Sequence, residues 1–403
     1  MADTIPRAAR VAARVLITLA GAALVGWSLV ADPDWAERHL LGAYCATSRA
    51  TWVAARGVPW IAAALGVLAM WKLAPALARR AERFHLRDQA ASLLGIAAAI
   101  AAALGVAELV ARRQHDRLML GERAPPGGAD APMTLADARL GWSYFPGRTT
   151  WTRVGGRPVA YAIDPDGDRA RSSDARVDPT RPTLLFAGES IAFGYGLPYD
   201  ETFVHLVGAE LGIQTVNLAV VGYGNDQAYR RLRDALPRFA HPLAVVTVFV
   251  PDQIPRNVDR WRPRLVLAPD GALVSLPPAG GPRLIELLDQ LPYHGDEPLR
   301  LTAAILRATA DAARARGAVP LFVVTNYGAA CLRDEGSEPW IVQELFARQA
   351  LPFVRVDLDP EDLLPGFLER HPAARGARKI ASAVEQALAR RLALGSFSDR
   401  GAR

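Results

Sequence analysis

Residues 183–196 read TLLFAGESIAFGYG. The first five form a short apolar run that stops at Gly188-Glu189-Ser190, the pattern of a strand buried on both faces and closed by a turn. Four more runs of this kind follow, at 215–219, 244–249, 320–325 and 353–357. The stretches 203–211, 226–236, 299–316, 339–350 and 373–392 are amphipathic and read as helices. Strand and helix in alternation make a parallel sheet covered on both sides. In such a sheet ligands bind beyond the carboxyl ends of the strands, so the chemistry is to be sought in the loops that follow them.

Three of those loops carry reactive or permissive residues. Ser190 follows the first strand, on a turn that holds its Oγ near backbone N–H groups able to stabilise an oxyanion. The second strand runs into 217–227, NLAVVGYGNDQ, where Gly222 and Gly224 let backbone approach a substrate closely. His371 stands after the last strand and before the last helix, and of the seven histidines it alone does so. His205 falls on a helix face and is assigned to packing.

GESIAFGYG, NLAVVGYG and HPAARGARKIASAV, in this order and at these strand ends, resemble the nucleophile, second and last blocks of the SGNH (GDSL-type) hydrolase superfamily. LGWSYFPGRTT (140–150) and YAIDPDGDR (161–169) resemble a lead-in of membrane-anchored bacterial members. The likeness covers roughly 139–392. It implies a flavodoxin-like three-layer α/β sandwich and an acyl-serine mechanism without a cofactor. Ser190 attacks an ester carbonyl, His371 takes its proton, a carboxylate orients the imidazole, and the N–H groups of Ser190 and Gly222 hold the oxyanion.

The chain departs from that pattern twice. The family's third block reads Gly-x-Asn-Asp, and its Asn side chain donates to the oxyanion. Here 248–253 is VFVPDQ, and Pro251, with neither a side-chain donor nor an N–H, takes the Asn position. Gln253 and Asn257 are the amides that stand near enough to replace it. Secondly, Leu368 occupies the place of the acid three residues before the histidine. Glu369, two before it, is the nearest acid and is assigned the orienting role, with Asp362 a more distant candidate. Glu189 stands for the family's Asp, a mainly structural position.

The first 117 residues have a different character. Apolar segments at 11–31, 51–71 and 90–111 each approach the ~20 residues needed to cross a bilayer core and read as three transmembrane helices. The formal net charge of +6 lies entirely in this third, whereas residues 118–403 carry 33 basic and 33 acidic side chains. A basic groove for nucleic acid is thereby excluded. Loop charge places the N-terminus and the 72–89 loop inside, and all that follows the third span outside. Residues 118–138 read as a linker, 139–180 as a small β lead-in, 181–394 as the hydrolase-like domain and 395–403 as a tail. DPDGD (164–168) reads as a turn rather than a calcium loop, since Arg169 stands where such a loop needs glycine. Two cysteines, Cys45 and Cys331, exclude a disulfide-dense scaffold.

Arginine-over-lysine usage and abundant alanine point to a GC-rich bacterial genome. The expectation is a multi-pass protein of the bacterial inner membrane, partnered by the lipid bilayer. Outside the membrane it presents a serine esterase that removes an O-acyl group, first of all O-acetyl, from an envelope glycan or lipid. Acyl transfer to a polysaccharide hydroxyl by the same serine is one alternative. A non-catalytic scaffold or glycan-binding protein of this fold is the other.

Overall fold

The computed structural model describes residues 4–30, 49–76, scattered positions between 101 and 112, 133–279 apart from 155 and 252, 297–325, 337–365 and 371–398. The described residues up to 112 fall in one compact unit and those from 133 onward in another.

The first unit contains α1 (Thr4–Val30) and α2 (Arg49–Leu68), the latter continued by a π-turn, Ala69–Leu73. The two helices cross at paired glycines. A Cβ on Gly21 would come within 2.7 Å of the Gly66 carbonyl oxygen, and one on Gly66 within 2.6 Å of that of Gly21. Such small-residue crossings let helix backbones approach where lipid supplies no hydrophobic drive. Away from the crossing, Leu19, Leu24, Trp60, Ile61, Leu65 and Trp71 are exposed. Among the described residues one helical stretch, Pro59–Ala76, is long and apolar enough to cross a membrane, and Ile17–Leu29 is a shorter apolar helix. Of the expected spans, the second overlaps Pro59–Ala76 and the first contains Ile17–Leu29. Most of 90–111 lies outside the described residues, as do Cys45 and Cys331.

In the second unit the strands are β1 (Thr134–Asp137), β2 (Gly141–Tyr144), β3 (Arg148–Val154), β4 (Arg157–Ile163), β5 (Arg169–Ala170), β6 (Thr183–Ala187), β7 (Gln214–Asn217), β8 (Pro242–Phe249), β9 (Arg264–Leu267), β10 (Leu273–Leu276), β11 (Val319–Thr325) and β12 (Phe353–Val356). The helices that matter are α3 (Ser190–Phe193), α4 (Phe203–Leu211), α5 (Asn225–Ala235), α6 (Gln253–Asn257), α7 (Glu297–Arg314), α8 (Ser337–Val342) and α9 (Ala374–Ser398). The main sheet has the order β12-β11-β8-β6-β7-β5-β4-β3. Strands β12, β11, β8, β6 and β7 run parallel. Counted by themselves they give the 2-1-3-4-5 order of a flavodoxin-like doubly wound sheet, whose switch point lies between β6 and β8.

Period-two alternation decides which residue faces which layer. Leu184, Phe186, Val246 and Val248 join Phe203 and Val207 of α4 and Ile380 and Val384 of α9 in one core. Leu185, Val216 and Val245 turn to the other face, with Leu232 of α5 and Ala313 of α7. All five residues of β6 are buried, as a strand covered on both sides demands. The amphipathic run expected at 339–350 is α8 followed by a π-turn, Gln343–Ala347.

The lead-in begins at Thr134 and is not a separate element. β3, β4 and β5 are antiparallel, and β5 pairs with β7 through Arg169 and Asn217. They cover an edge of the parallel sheet that would otherwise present unpaired backbone groups. The DPDGD segment is a hydrogen-bonded turn. Asp164 Oδ1 accepts from the N–H groups of Asp166 and Asp168, each at 2.9 Å. Asp168 pairs with Arg231 at 2.8 Å and Arg238 at 2.9 Å.

Burial, aided by the neighbouring Asp168 charge, pushes the Asp164 carboxyl from 3.8 up to about 6. A carboxyl that holds its proton more tightly folded than unfolded adds stability below pH 3.8, and this contribution is lost as pH rises through about 6. Asp164→Asn keeps the accepting oxygen and removes the titration. Thermal melts of the two proteins should therefore diverge between pH 4 and pH 7 in favour of the Asn variant. Parallel pH profiles would contradict this.

Candidate active site

The turn after β6 is built on Gly188, whose φ of +143° is closed to other residues. A Cβ there would also meet Ala192 Cβ at 3.1 Å and Val248 Cβ at 3.3 Å. The chain then enters α3, with Glu189 as its cap, accepting from the Ile191 N–H at 2.9 Å. Ser190 is the first residue of that helix and is only 4% exposed. Its Oγ lies 2.8 Å from Nε2 of His371, 181 positions away in sequence. Oγ also touches Oε2 of the buried Glu189. The single hydroxyl proton thus has two acceptors, and it moves in the productive direction when His371 takes it.

His371 arrives on the loop between β12 and α9. Leu363 and Pro372 form an antiparallel bridge, the Leu364 N–H donates to the His371 carbonyl at 2.9 Å, and the Ala373 N–H donates to that of Asp362 at 2.7 Å. Asp362 belongs to this network. Its carboxylate takes Lys379 Nζ at 3.1 Å and Arg375 Nε at 3.0 Å, fastening the loop to the first turns of α9. The Tyr195 ring lies 4.6 Å from that of His371, centroid to centroid. Glu369 falls outside the described residues.

Gly222 sits on the loop after β7, which leaves the sheet where Asn217 turns its amide onto the Ala192 carbonyl at 2.8 Å and accepts from the Ala219 N–H at 3.1 Å. The Val220 N–H reaches the Gly188 carbonyl at 3.3 Å, tying this loop to the nucleophile turn. Among the described residues no acceptor takes the N–H of Ser190 or of Gly222. Donors left open in this way are what an oxyanion requires.

Of the two amides expected to replace the absent Asn, Asn257 has its nitrogen engaged elsewhere and Gln253 is held through its oxygen. Asn257 Nδ2 donates to Asn225 Oδ1 at 3.1 Å and to Thr302 Oγ1 at 2.8 Å, while its Oδ1 accepts from the Asn225 N–H at 2.7 Å. Gln253 Oε1 accepts from Asn225 Nδ2 and from the Val250 N–H, both at 3.1 Å. Gln253 is wholly buried, and no partner is found for its Nε2. Beside them Arg262 and Asp226 form a buried bidentate pair at 2.8 Å on both arms. This network holds α6 against the start of α5. Arg256 projects from α6 into the site. Its Nη1 is 4.0 Å from Glu189 Oε2 and donates to the Tyr223 carbonyl at 3.4 Å.

Sequence reasoning missed the part played by the lead-in. Tyr144 Oη accepts from the Val221 N–H at 2.8 Å, Trp142 Nε1 donates to the Val221 carbonyl at 3.1 Å, and Tyr223 Oη donates to the Trp142 carbonyl at 2.6 Å. The loop carrying Gly222 is thereby clamped on both sides. Tyr144 and Tyr161 pack on Phe193 at 5.1 Å each, and Arg169 lies over Tyr161 at 4.6 Å and Phe193 at 4.8 Å. Burial lowers the Arg169 guanidinium to about 10, still protonated at neutral pH. Phe193 and Tyr223 are thus core residues. Alternating aromatics at 142 and 144 were the available signal.

No family model matches the chain, and no curated protein does. Several solved structures do. An acetyl xylan esterase from Butyrivibrio proteoclasticus is 11% identical over 54% of this chain and 66% of its own, with a TM-score of 0.34. The psychrotrophic esterase EstA from Pseudoalteromonas sp. is 14% identical over 52% and 98%, with a TM-score of 0.32. A member of the lipolytic protein G-D-S-L family from Veillonella parvula is 11% identical over 51% and 96%, also at 0.32. At these values the functional reading rests on this chain's own motifs and geometry.

Tyr144→Phe removes the acceptor of the Val221 N–H. An unpaired group of this kind costs about 1–3 kcal/mol. Denaturant unfolding should register that loss, and an unchanged midpoint would remove Tyr144 from the clamp.

Proposed function

We propose that this chain is a serine hydrolase of carboxylic esters that works through an acyl-serine at Ser190. The observation that carries this reading is the 2.8 Å contact between Ser190 Oγ and His371 Nε2, at the carboxyl end of β6 beside the sheet's switch point. Oγ attacks the ester carbonyl carbon, and its proton passes to Nε2 of His371. The carbonyl π pair moves to oxygen, where the Ser190 and Gly222 N–H groups receive it. As the tetrahedral species collapses, the leaving alkoxide takes the proton from His371 and departs as the alcohol. Water, deprotonated by the same imidazole, then releases the acid and restores the serine. Glu369 is assigned to orient the imidazole.

The substrate we infer is an O-acyl group, O-acetyl before others, on an envelope glycan or lipid. The N-terminal unit is taken as a multi-pass anchor in a bacterial inner membrane, with the hydrolase domain on the outer side. The exposed apolar side chains of α1 and α2 and their glycine crossing support an anchor in lipid.

The full chain in detergent should hydrolyse small aryl acetates. Removing either member of a Ser–His pair typically lowers kcat by about 1,000-fold or more. Ser190→Ala and His371→Ala should each do so while the thermal melt stays unchanged. Wild-type turnover in Ser190→Ala would exclude the serine.

A further inference from the structure

Among the described residues, the oxyanion site contains a charge problem and a cation placed beside it. Glu189 is one methylene longer than the Asp it replaces in the resembled motif. Its carboxylate reaches the nucleophile itself, with Oε2 on Ser190 Oγ and Oε1 on the Ile191 N–H. Attack on an ester builds negative charge on the carbonyl oxygen, within a few ångströms of a wholly buried acid. Repulsion between like charges at that range is felt strongly away from bulk water. Pro251, at the place where a neutral amide donor is expected, offers nothing to offset it. Of the amides nearby, Asn257 donates to Asn225 and Thr302, and Gln253 is wholly buried and held through its oxygen by Val250 and Asn225.

Arg256 answers both needs. Its Nη1 lies 4.0 Å from the Glu189 oxygen that touches the nucleophile. The same nitrogen reaches the carbonyl of Tyr223, the residue after Gly222, at 3.4 Å. The guanidinium is thus bracketed by the two loops that carry the backbone oxyanion donors. Its side chain is 28% exposed, within reach of a molecule arriving from solvent. The buried contacts of Asn225, Gln253, Asn257 and Thr302 fix α6, the five-residue helix on which Arg256 stands. A guanidinium is planar, always charged and rich in donors, and can hold a carboxylate with one edge and a developing oxyanion with another.

We propose that Arg256 is a catalytic residue that supplies the third oxyanion contact in place of the amide missing at Pro251. The proposal rests on the serine-hydrolase reading of the site. It makes the mechanism dependent on a cation at this position, with Gln253 and Asn257 serving as positioning residues for α6.

The test uses the full chain with an aryl acetate, and compares Arg256→Met and Arg256→Lys with wild type and Ser190→Ala. Loss of one oxyanion donor typically lowers kcat by about 100- to 1,000-fold. Arg256→Met should show that loss with KM within about twofold of wild type, as expected for a contact made in the transition state. Arg256→Lys should keep part of the rate, and millimolar methylguanidine should raise the turnover of Arg256→Met, which a purely structural role would not allow. A kcat in Arg256→Met within threefold of wild type, with Ser190→Ala inactive, would overturn the proposal and leave the serine reading standing. A loss that neither lysine nor methylguanidine relieves, accompanied by a lowered melting temperature, would likewise overturn it. Wild-type turnover in Ser190→Ala would remove the serine reading and this proposal together.

Discussion

One hydrogen bond sets the terms for the rest of the hydrolase-like unit. Ser190 and His371 meet at 2.8 Å from opposite ends of the sandwich sequence, so the first parallel strand and the last loop must reach one place together. A small misplacement at such a contact is costly in rate. The structure answers with local constraints at each end. Gly188 makes a turn no other residue fits, pressing α3 onto β8. At the far end, the Leu363–Pro372 bridge and the Asp362–Lys379 and Asp362–Arg375 pairs fasten the histidine loop to α9. The parallel sheet between them supplies the common edge.

The middle of the chain supplies the supporting shell. The loop bearing Gly222 is gripped by Trp142 and Tyr144 from the lead-in, and the helix bearing Arg256 is held by buried amides and by the Asp226–Arg262 pair. Most of these buried polar groups bond to one another, and such bonding makes a network rigid. The antiparallel strands β3 to β5 therefore do more than close a sheet edge. Through Tyr161, Arg169 and Phe193 they build the floor beneath the nucleophile helix.

Much of this was legible in the residues. Buried parallel strands announce themselves as short apolar runs, and four of the five expected runs end within one residue of the ends of β6, β8, β11 and β12. β7 stops earlier, at Asn217, because that side chain bonds to the loop's own backbone instead of continuing the ladder. Ser190, Gly222 and His371 came from motif order and strand-end placement, and the structure brings Ser190 and His371 into contact. Asn257 and Gln253 were chosen by proximity in sequence, which cannot foresee that the Asn257 amide donates to Asn225 and Thr302. Arg256 was invisible for the same reason. Its meaning depends on where Glu189 reaches, a fact of three-dimensional charge rather than of spacing. In the N-terminal unit, apolar composition identified the two helices, and both run on through the arginines at 14 and 56.

The central claim is that Ser190 is an activated nucleophile. Treating the full chain with a fluorophosphonate and mapping the adduct by peptide mass spectrometry tests it directly. The account predicts one phosphonyl group on Ser190, formed in wild type and suppressed in His371→Ala. Absence of any adduct under conditions that label a known serine esterase, or an adduct confined to another residue, would contradict it.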